Sequence, residues 1–408
     1  MRTICLAVAL ALPVAALAQQ APETTPSGPA PAPAPTDVTV TAQRLRDTDR
    51  ALQECIARKC PVDQDVAATL RHAENQFVAG KYADARRTLL AGRGRNKRFA
   101  KDYPLPVSEL LRANARIAAH LGEGEAYQVS TYDTLSALKS GLPADDPRIL
   151  GARIEVGDML ARFGRFEPAE EAYRSVARRA HELDLPTVEG FALLRVGALY
   201  SSYAVGDPAT YASGARRALD ELIANPDPRL KPFVRAARLY KARNAARTGD
   251  TRALDALLAE FRDEGAGDRP VLLFAPPIPE LRPSTRELSG GGALNRIALR
   301  NYDEQWVDIS FYVAPDGHVT DAGVLRASPK LDGDDWVKPI IATISARRYA
   351  PLKRDPSDPG ILRIERYTLT SRWEEQLGTR IRQRSAAPQI EMLDLSNDPI
   401  PAKVKPAS

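Results

Sequence analysis

The residue types that most often carry chemistry are few in this chain and scattered along it. Its four histidines, His72, His120, His181 and His318, share no ligand spacing such as i, i+4, so they read as surface or helix-face residues and zinc is not expected. No nucleophile elbow occurs, and the 52 Asp and Glu residues are too evenly spread to single out an acid–base pair. Gly290-Gly291-Gly292 lacks both a preceding strand and a following Lys-Ser/Thr, so it is not a phosphate loop. An enzyme, for instance one acting on the cell envelope, is therefore set aside: no catalytic residue, metal or cofactor is expected. Cys55 and Cys60 are the pair with a chemical reading. Five positions apart, they lie about 140° round a continuous helix and cannot meet there, but Pro61 stops the helix and lets the chain close a short loop. A disulfide is expected. A redox or metal site is the rival, weakened because the spacing is not C-x-x-C and no His is near in sequence.

What remains is the chemistry of exposed backbone, and the elements around residues 303–351 are arranged to present it. Val307, Ile309, Phe311 and Val313 alternate with Asp308, Ser310 and Tyr312, the period of a half-buried strand. Pro315-Asp316-Gly317 supplies turn chemistry, and a second strand-like run, Val319–Leu325, has its apolar parity displaced by one residue, which predicts a bulge. Trp336, Ile340 and Ile344 then share a helix face. This order resembles the C-terminal domain of the TonB energy-transducer family: a strand, the Asp316-Gly317 hairpin, a second strand ending near Ser328, Leu331-Asp332 before a helix, a basic-aromatic exit at Arg348-Tyr349-Ala350-Pro351, and a third strand over Ile361–Thr370. The resemblance spans about seventy residues. It implies a small α+β domain that recognises extended peptides. In that family the third strand receives the peptide, so backbone pairing is expected along Arg363, Ile364, Glu365, Arg366, Tyr367, Thr368, Leu369 and Thr370, with Tyr367 and Leu369 as flanking side chains.

Near the other end, Asp37, Val38, Thr39, Val40, Thr41 and Ala42 form a short β-prone run. It resembles the TonB box, the peptide that outer-membrane receptors present near their mature N-terminus, in its acidic start, alternating β-branched residues and Val-Thr-Ala core. A chance strand-like stretch before the first helix is the plainer reading. An edge strand with unpaired N–H and C=O groups can take up such a segment as an added strand.

Met1–Ala18 has one charge, Arg2, an apolar run from Ile4, and Ala16-Leu17-Ala18 at its end. This is the pattern of a secretory signal with cleavage before Gln19. The rival is a retained anchor, but fifteen helical residues reach only ~22 Å against ~30 Å of hydrocarbon, with Pro13 among them. Nothing ionisable lies within Ile4–Ala18, whereas a TonB energy transducer keeps a membrane helix with a polar residue. The resemblance therefore implies the recognition half of that activity more than the energised half. The periplasm is the expected location, with a mature chain free in it. The formal charge of +5 and pI near 9.0 suit contact with an anionic envelope surface but are too dispersed to argue for nucleic acid.

Between the ends, residues 66–264 are Ala-, Leu- and Arg-rich with helical periodicity, punctuated by Gly or Pro. Gly157, Leu160, Ala169 and Tyr173, with Gly164 in the turn, resemble the small, large, small and aromatic places of a tetratricopeptide repeat. Gly197, Tyr200 and Ala209, with Gly206 and Pro208, fill the same offsets, and Ala73, Gly80 and Ala85 mark an earlier unit. Weaker pairs occupy 107–140 and 228–264. The fold class expected is multidomain: an all-α, tetratricopeptide-like helical-repeat solenoid, then a small TonB-C-like α+β domain. The divisions are a signal at 1–18, a Pro/Ala linker at 19–36, the box-like segment and cysteine pair at 37–65, repeats at 66–266, a Pro/Gly linker at 267–300, the C-terminal domain at 301–380 and a disordered tail at 381–408. Arg93–Arg98, with Lys101, is expected as a solvated loop after a helix-ending Gly92. The function expected is a periplasmic adaptor that binds protein partners, such as outer-membrane receptors, through extended peptides. The alternative is a component of TonB-type energised transport across the outer membrane.

Overall fold

The computed structural model describes residues 44–264, 270–278, 305–329, 331, 335–375 and 382–396. The signal-like segment, the Pro/Ala linker, the box-like run Asp37–Ala42 and the triple glycine lie outside them. The described chain is mostly helical, with a small β region of two sheets near its C-terminal end.

The helices follow one another as α1 Leu45–Ala57, α2 Val62–Val78, α3 Tyr82–Asn96, α4 Pro104–His120, α5 Gly124–Gly141, α6 Pro147–Arg162, α7 Phe166–Glu182, α8 Pro186–Gly206, α9 Pro208–Ile223, α10 Lys231–Arg247 and α11 Arg252–Glu264. Prolines open α4, α6, α8 and α9, where the missing N–H has no intrahelical partner to lose. Asp146 caps α6 by accepting from the Arg148 N–H at 2.9 Å. Each helix packs against the one before and the one after, and α6, α7 and α8 share the largest apolar cluster, with Met159, Ala169, Tyr173 and Val176 buried in it. Small residues permit the close approach: a Cβ on Gly157 would overlap the Tyr173 ring, whose hydroxyl donates to Asp158 Oδ1 at 2.7 Å.

Several local expectations are corrected. Ala209 is exposed, because α8 runs on to Gly206, and the small residues that meet α8 from α9 are Gly214 and Ala215. The run Arg93–Arg98 is no loop: α3 continues through Gly92, which lies so close to Thr69 that a side chain would not fit, and ends at Asn96. Its cations are held across helices, Arg93 and Lys97 on Asp133 and Arg95 on Asp65. His72 and His120 are buried rather than on the surface.

Cys55 and Cys60 are bonded, with Cα atoms 5.2 Å apart. The helix ends at Ala57, Lys59 takes a positive φ of 52°, and the Cys60 N–H returns to the Cys55 carbonyl at 3.0 Å, which closes the predicted loop. Replacing both cysteines with Ser is expected to lower unfolding stability by up to ~2 kcal/mol, because so short a loop restricts the unfolded chain little. Chemical denaturation checks the size; thiol labelling of both cysteines in denatured protein without reductant would show that no bond was there.

The β region begins sooner and ends later than the sequence suggests. Within the expected linker, β1 (Leu272–Phe274) pairs with β4 (Arg348–Tyr349), and Leu273 is buried against Ala242, Leu254 and Leu257 of α10 and α11. Arg243 of α10 donates to the carbonyls of Leu272 and Leu273. The larger sheet has the order β3-β2-β5-β6, all antiparallel, from β2 (Trp306–Val313), β3 (Val319–Ala327), β5 (Ile361–Glu375) and β6 (Arg382–Asp394). Strand β6 corrects the reading of that stretch as a disordered tail. Val307, Ile309, Phe311 and Val313 face α12 (Val337–Ser345) and pack on Ile340 and Ile344, as their alternation requires. Register shifts along β2–β3 confirm the bulged second strand.

Candidate functional site

The other face of the sheet lies on the helices, and one arginine organises the contact. Arg366 on β5 is fully buried, with Nε 2.6 Å from Asp308 Oδ1 and Nη2 3.0 Å from Oδ2, and Asp308 on β2 is equally buried. The same guanidinium donates from Nη1 to the Phe77 carbonyl at 2.9 Å and from Nη2 to the Val78 carbonyl at 2.8 Å. Those carbonyls end α2, where helix geometry leaves acceptors without intrahelical partners and the dipole favours a cation. Trp306 lies flat beneath, its ring centroid 4.2 Å from Arg366 Cζ, and fills the space over Gly80. Gly80 has φ +75°, so the α2–α3 turn needs glycine for its backbone as well as for the indole. Tyr82 Oη meets Thr368 Oγ1 at 2.9 Å, and His120, at the end of α4, stacks edge-on against Phe77 and Tyr82. Farther along, Arg162 at the end of α6 pairs with Glu391 of β6.

The segment expected to receive a peptide is thus enclosed on every side. Along one edge, Val307↔Tyr367 and Ile309↔Glu365 pair β5 with β2. Along the other, Tyr367↔Met392 and Leu369↔Ile390 pair it with β6, and Arg363 forms an ion pair with Asp394. Arg366, Thr368 and Thr370 are buried, and Ile364 N–H donates to Ser396 Oγ at 2.9 Å. Glu365 and Tyr367 face a buried cluster: Arg347 Nη1 is 2.8 Å from Glu365 Oε1, Arg347 Nη2 donates to Tyr367 Oη at 2.8 Å, and that hydroxyl donates to Glu365. Burial pushes the Tyr367 hydroxyl well above its ordinary pKa, and the Glu365 charge adds to the shift. The assignment of Arg363–Thr370 as an open receiving edge is therefore corrected. The physical reason is the same backbone demand that suggested it: an unpaired edge takes a strand, and residues 382–394 of this chain supply one.

No described strand covers the two outer edges of the sheet, which belong to β6 and to β3. Two consecutive large apolar residues stand out from β3, Val324 at 49% and Leu325 at 54% exposure. The register shift between the Asp308↔Arg326 and Ile309↔Val324 pairs inserts Leu325 as the extra residue, which is why both are turned to solvent. Sequence reading placed this strand and its bulge but not its exposure, since exposure depends on which strands lie beyond it.

A second buried polar group ties helices together. Asp158 on α6 accepts from Tyr173 and lies 3.1 Å from Arg195 Nη2 on α8; burial raises its carboxyl pKa against the lowering pull of Arg195. With its two partners it joins three successive helices, so its work is packing. No group of three or more His, Cys, Asp or Glu residues suited to a metal ion occurs among the described residues, and no described helix is long and apolar enough to cross a membrane.

No protein-family model matches the chain, and no curated protein does. Among solved structures, the crystal structure of BtubC (BKLC) from P. vanneervenii is similar over 61% of this chain and 98% of that one, at 15% identity and a TM-score of 0.42.

Proposed function

We propose that this protein is a periplasmic adaptor that binds protein partners through extended peptide segments, its helical half serving as a tetratricopeptide-like scaffold and its β region, similar to the TonB transducer C-terminal domain, as the recognition module. The observation that carries the reading is the outer edge of β3, where backbone N–H and C=O groups run beside exposed Val324 and Leu325. Backbone groups at such an edge supply affinity by strand addition, and adjacent apolar side chains supply selectivity. Natural edge strands usually guard themselves with charge. Here Arg326 is drawn away to Asp308, which leaves the apolar pair unguarded. The small residues between helix pairs, such as Gly157 and Gly214, support the repeat reading.

The test is an NMR titration of the full chain, carrying Val40→Pro so that the chain's own β-prone run does not compete, with a β-branched peptide covering 36–44. Amides of Val319–Ala327 are expected to shift, with a dissociation constant of ~10–1000 μM, because a single added strand must offset its own ordering entropy. Leu325→Lys should weaken binding about tenfold, the equivalent of ~1.4 kcal/mol. No shift at millimolar peptide would remove the adaptor reading.

A further inference from the structure

We propose that the cavity between the α1–α2 turn and the end of α3 binds a phosphate group, held by Lys59, Arg95 and Arg98. It measures about 270 Å³, and Asp65, Gly94 and the Cys55–Cys60 bond also line it. Two of its residues run against local backbone preference. Lys59 is exposed and has φ 52°, the left-handed conformation just past a helix end, where glycine is the favoured residue. The other described non-glycine residues with positive φ are Asp184 and Asp321, whose short polar side chains suit that region. Gly94 is the reverse case. It lies within α3, where alanine is favoured, and a Cβ on it would meet nothing within 4 Å. Gly92 is required by its contact with Thr69, whereas Gly94 has no such neighbour. One position thus keeps a cation where glycine would be easier, and the other omits a side chain where one would fit. Both choices favour an anion between them, since the first supplies charge and the second supplies room. Functional sites are where local preference is set aside in this way.

The charges agree. Arg95 gives Nε to Asp65 at 2.8 Å and Nη2 to Asp65 and Thr69 at 2.7 and 2.9 Å. That fixes its plane and leaves Nη1 without a hydrogen bond among the described residues. Asp65 accepts from Thr69 and Asn96 as well, at 3.1 and 2.8 Å, so its carboxylate is fully engaged. Lys59 and Arg98 have no carboxylate partner among the described residues, and Arg98 lies over the Phe99 ring at 4.8 Å. With Arg95 balanced by Asp65, the surplus is the two charges of Lys59 and Arg98. A phosphate monoester, at roughly −1.5 to −2 near pH 7 and with three acceptor oxygens, matches that surplus. The Cys55–Cys60 bond brackets Lys59, and the Cys60 N–H to Cys55 carbonyl contact closes the same turn. The bond therefore holds a cation in place, a use separate from its small effect on stability. None of these residues belongs to the β region, so the site stands whether or not the β3 edge binds peptide.

The experiment is calorimetric titration of the full chain with glycerol phosphate, at low ionic strength because salt screens exposed charges. Vesicles of phosphatidic acid in phosphatidylcholine form a second arm, with plain phosphatidylcholine as the blank, since the same group can arrive as a lipid headgroup. Saturable binding in at least one arm is expected, and the arm that gives it identifies the source. Lys59→Gly and Gly94→Gln are each expected to weaken it about tenfold, the first by removing a charged contact and the second by filling the cavity. Both replacements suit the local backbone better than the residues they replace, so urea midpoints are expected to rise in both. A loss of binding beside a raised midpoint cannot come from misfolding. No saturable binding in either arm, or binding unchanged in either variant, would overturn the inference. A lowered midpoint in either variant would also overturn it, by showing that the residue serves stability instead.

Discussion

Arg366→Met is expected to lower the unfolding stability of the protein by about 3–5 kcal/mol, the usual consequence of removing one partner from a buried ion pair. The substitution takes a donor from two kinds of acceptor. Asp308 stays fully buried with only Arg326 near it, and the Phe77 and Val78 carbonyls at the end of α2 each lose one donor, keeping the Gly80 N–H at 2.9 Å and the longer Arg326 contact at 3.4 Å. Methionine fills much of the space over Trp306, so the loss is electrostatic more than steric. That gives a second arm to the test. Arg366→Met with Asp308→Leu removes both charges, and a buried pair exchanged for apolar groups is often close to neutral. The double variant should therefore recover part of the loss, a non-additivity expected of residues in contact. Urea denaturation measures both. A single-variant loss below about 1 kcal/mol, or a double variant worse than the sum of its parts, would show that the contact between sheet and helices is held by packing alone.

The parts of this fold that were legible in the sequence are those fixed by neighbours along the chain. The alternation of Val307, Ile309, Phe311 and Val313, the Asp316-Gly317 turn, the apolar face of Ile340 and Ile344, and the short loop from Cys55 to Cys60 are local patterns, and each stands where it was expected. Strand β6 was not legible because its own composition argues against it. Pro388 and the polar residues around it form a strand because β5 presents an edge, and no property of residues 382–394 alone announces that edge. Gly92 misled for a related reason. A glycine that ends many helices is here retained within one because Thr69 leaves no room for a Cβ.

Site residues divide along the same line. Arg366 and Glu365 were singled out only through a resemblance that concerns backbone pairing, whereas their side chains are spent on Asp308, the end of α2 and Arg347. Contacts between positions such as Phe77 and Arg366 have no signature in a single sequence. Exposure is equally non-local: Val324 and Leu325 look like core residues of a second strand until the strand is seen to be the last one.

Acid is expected to weaken the same contact through His120. This ring is buried between Phe77 and Tyr82, its Nε2 has no hydrogen-bond partner among the described residues, and burial, with the charges of Arg366 and Arg162, lowers its pKa from 6.5 to about 3. In the unfolded chain the ring takes a proton as the pH falls through about 6.5, while the folded protein refuses it until about 3. The unfolded state thus binds more protons throughout that window. Stability is fully present above about 6.5, falls by up to ~1.4 kcal/mol per pH unit below it, and levels off below about 3. Lowered carboxylate pKa values, such as that of Asp65 beside Arg95, add loss only toward the acid end, below their ordinary value of 3.8. Between pH 6.5 and 4.5 the histidine should dominate, and His120→Gln should flatten that part of the profile. Gln keeps the polarity of the site and does not titrate, so a lower stability overall would not confuse the slope. Denaturation midpoints at half-unit pH steps measure it. A His120→Gln profile parallel to that of the unaltered protein across this range would assign the acid sensitivity to other groups.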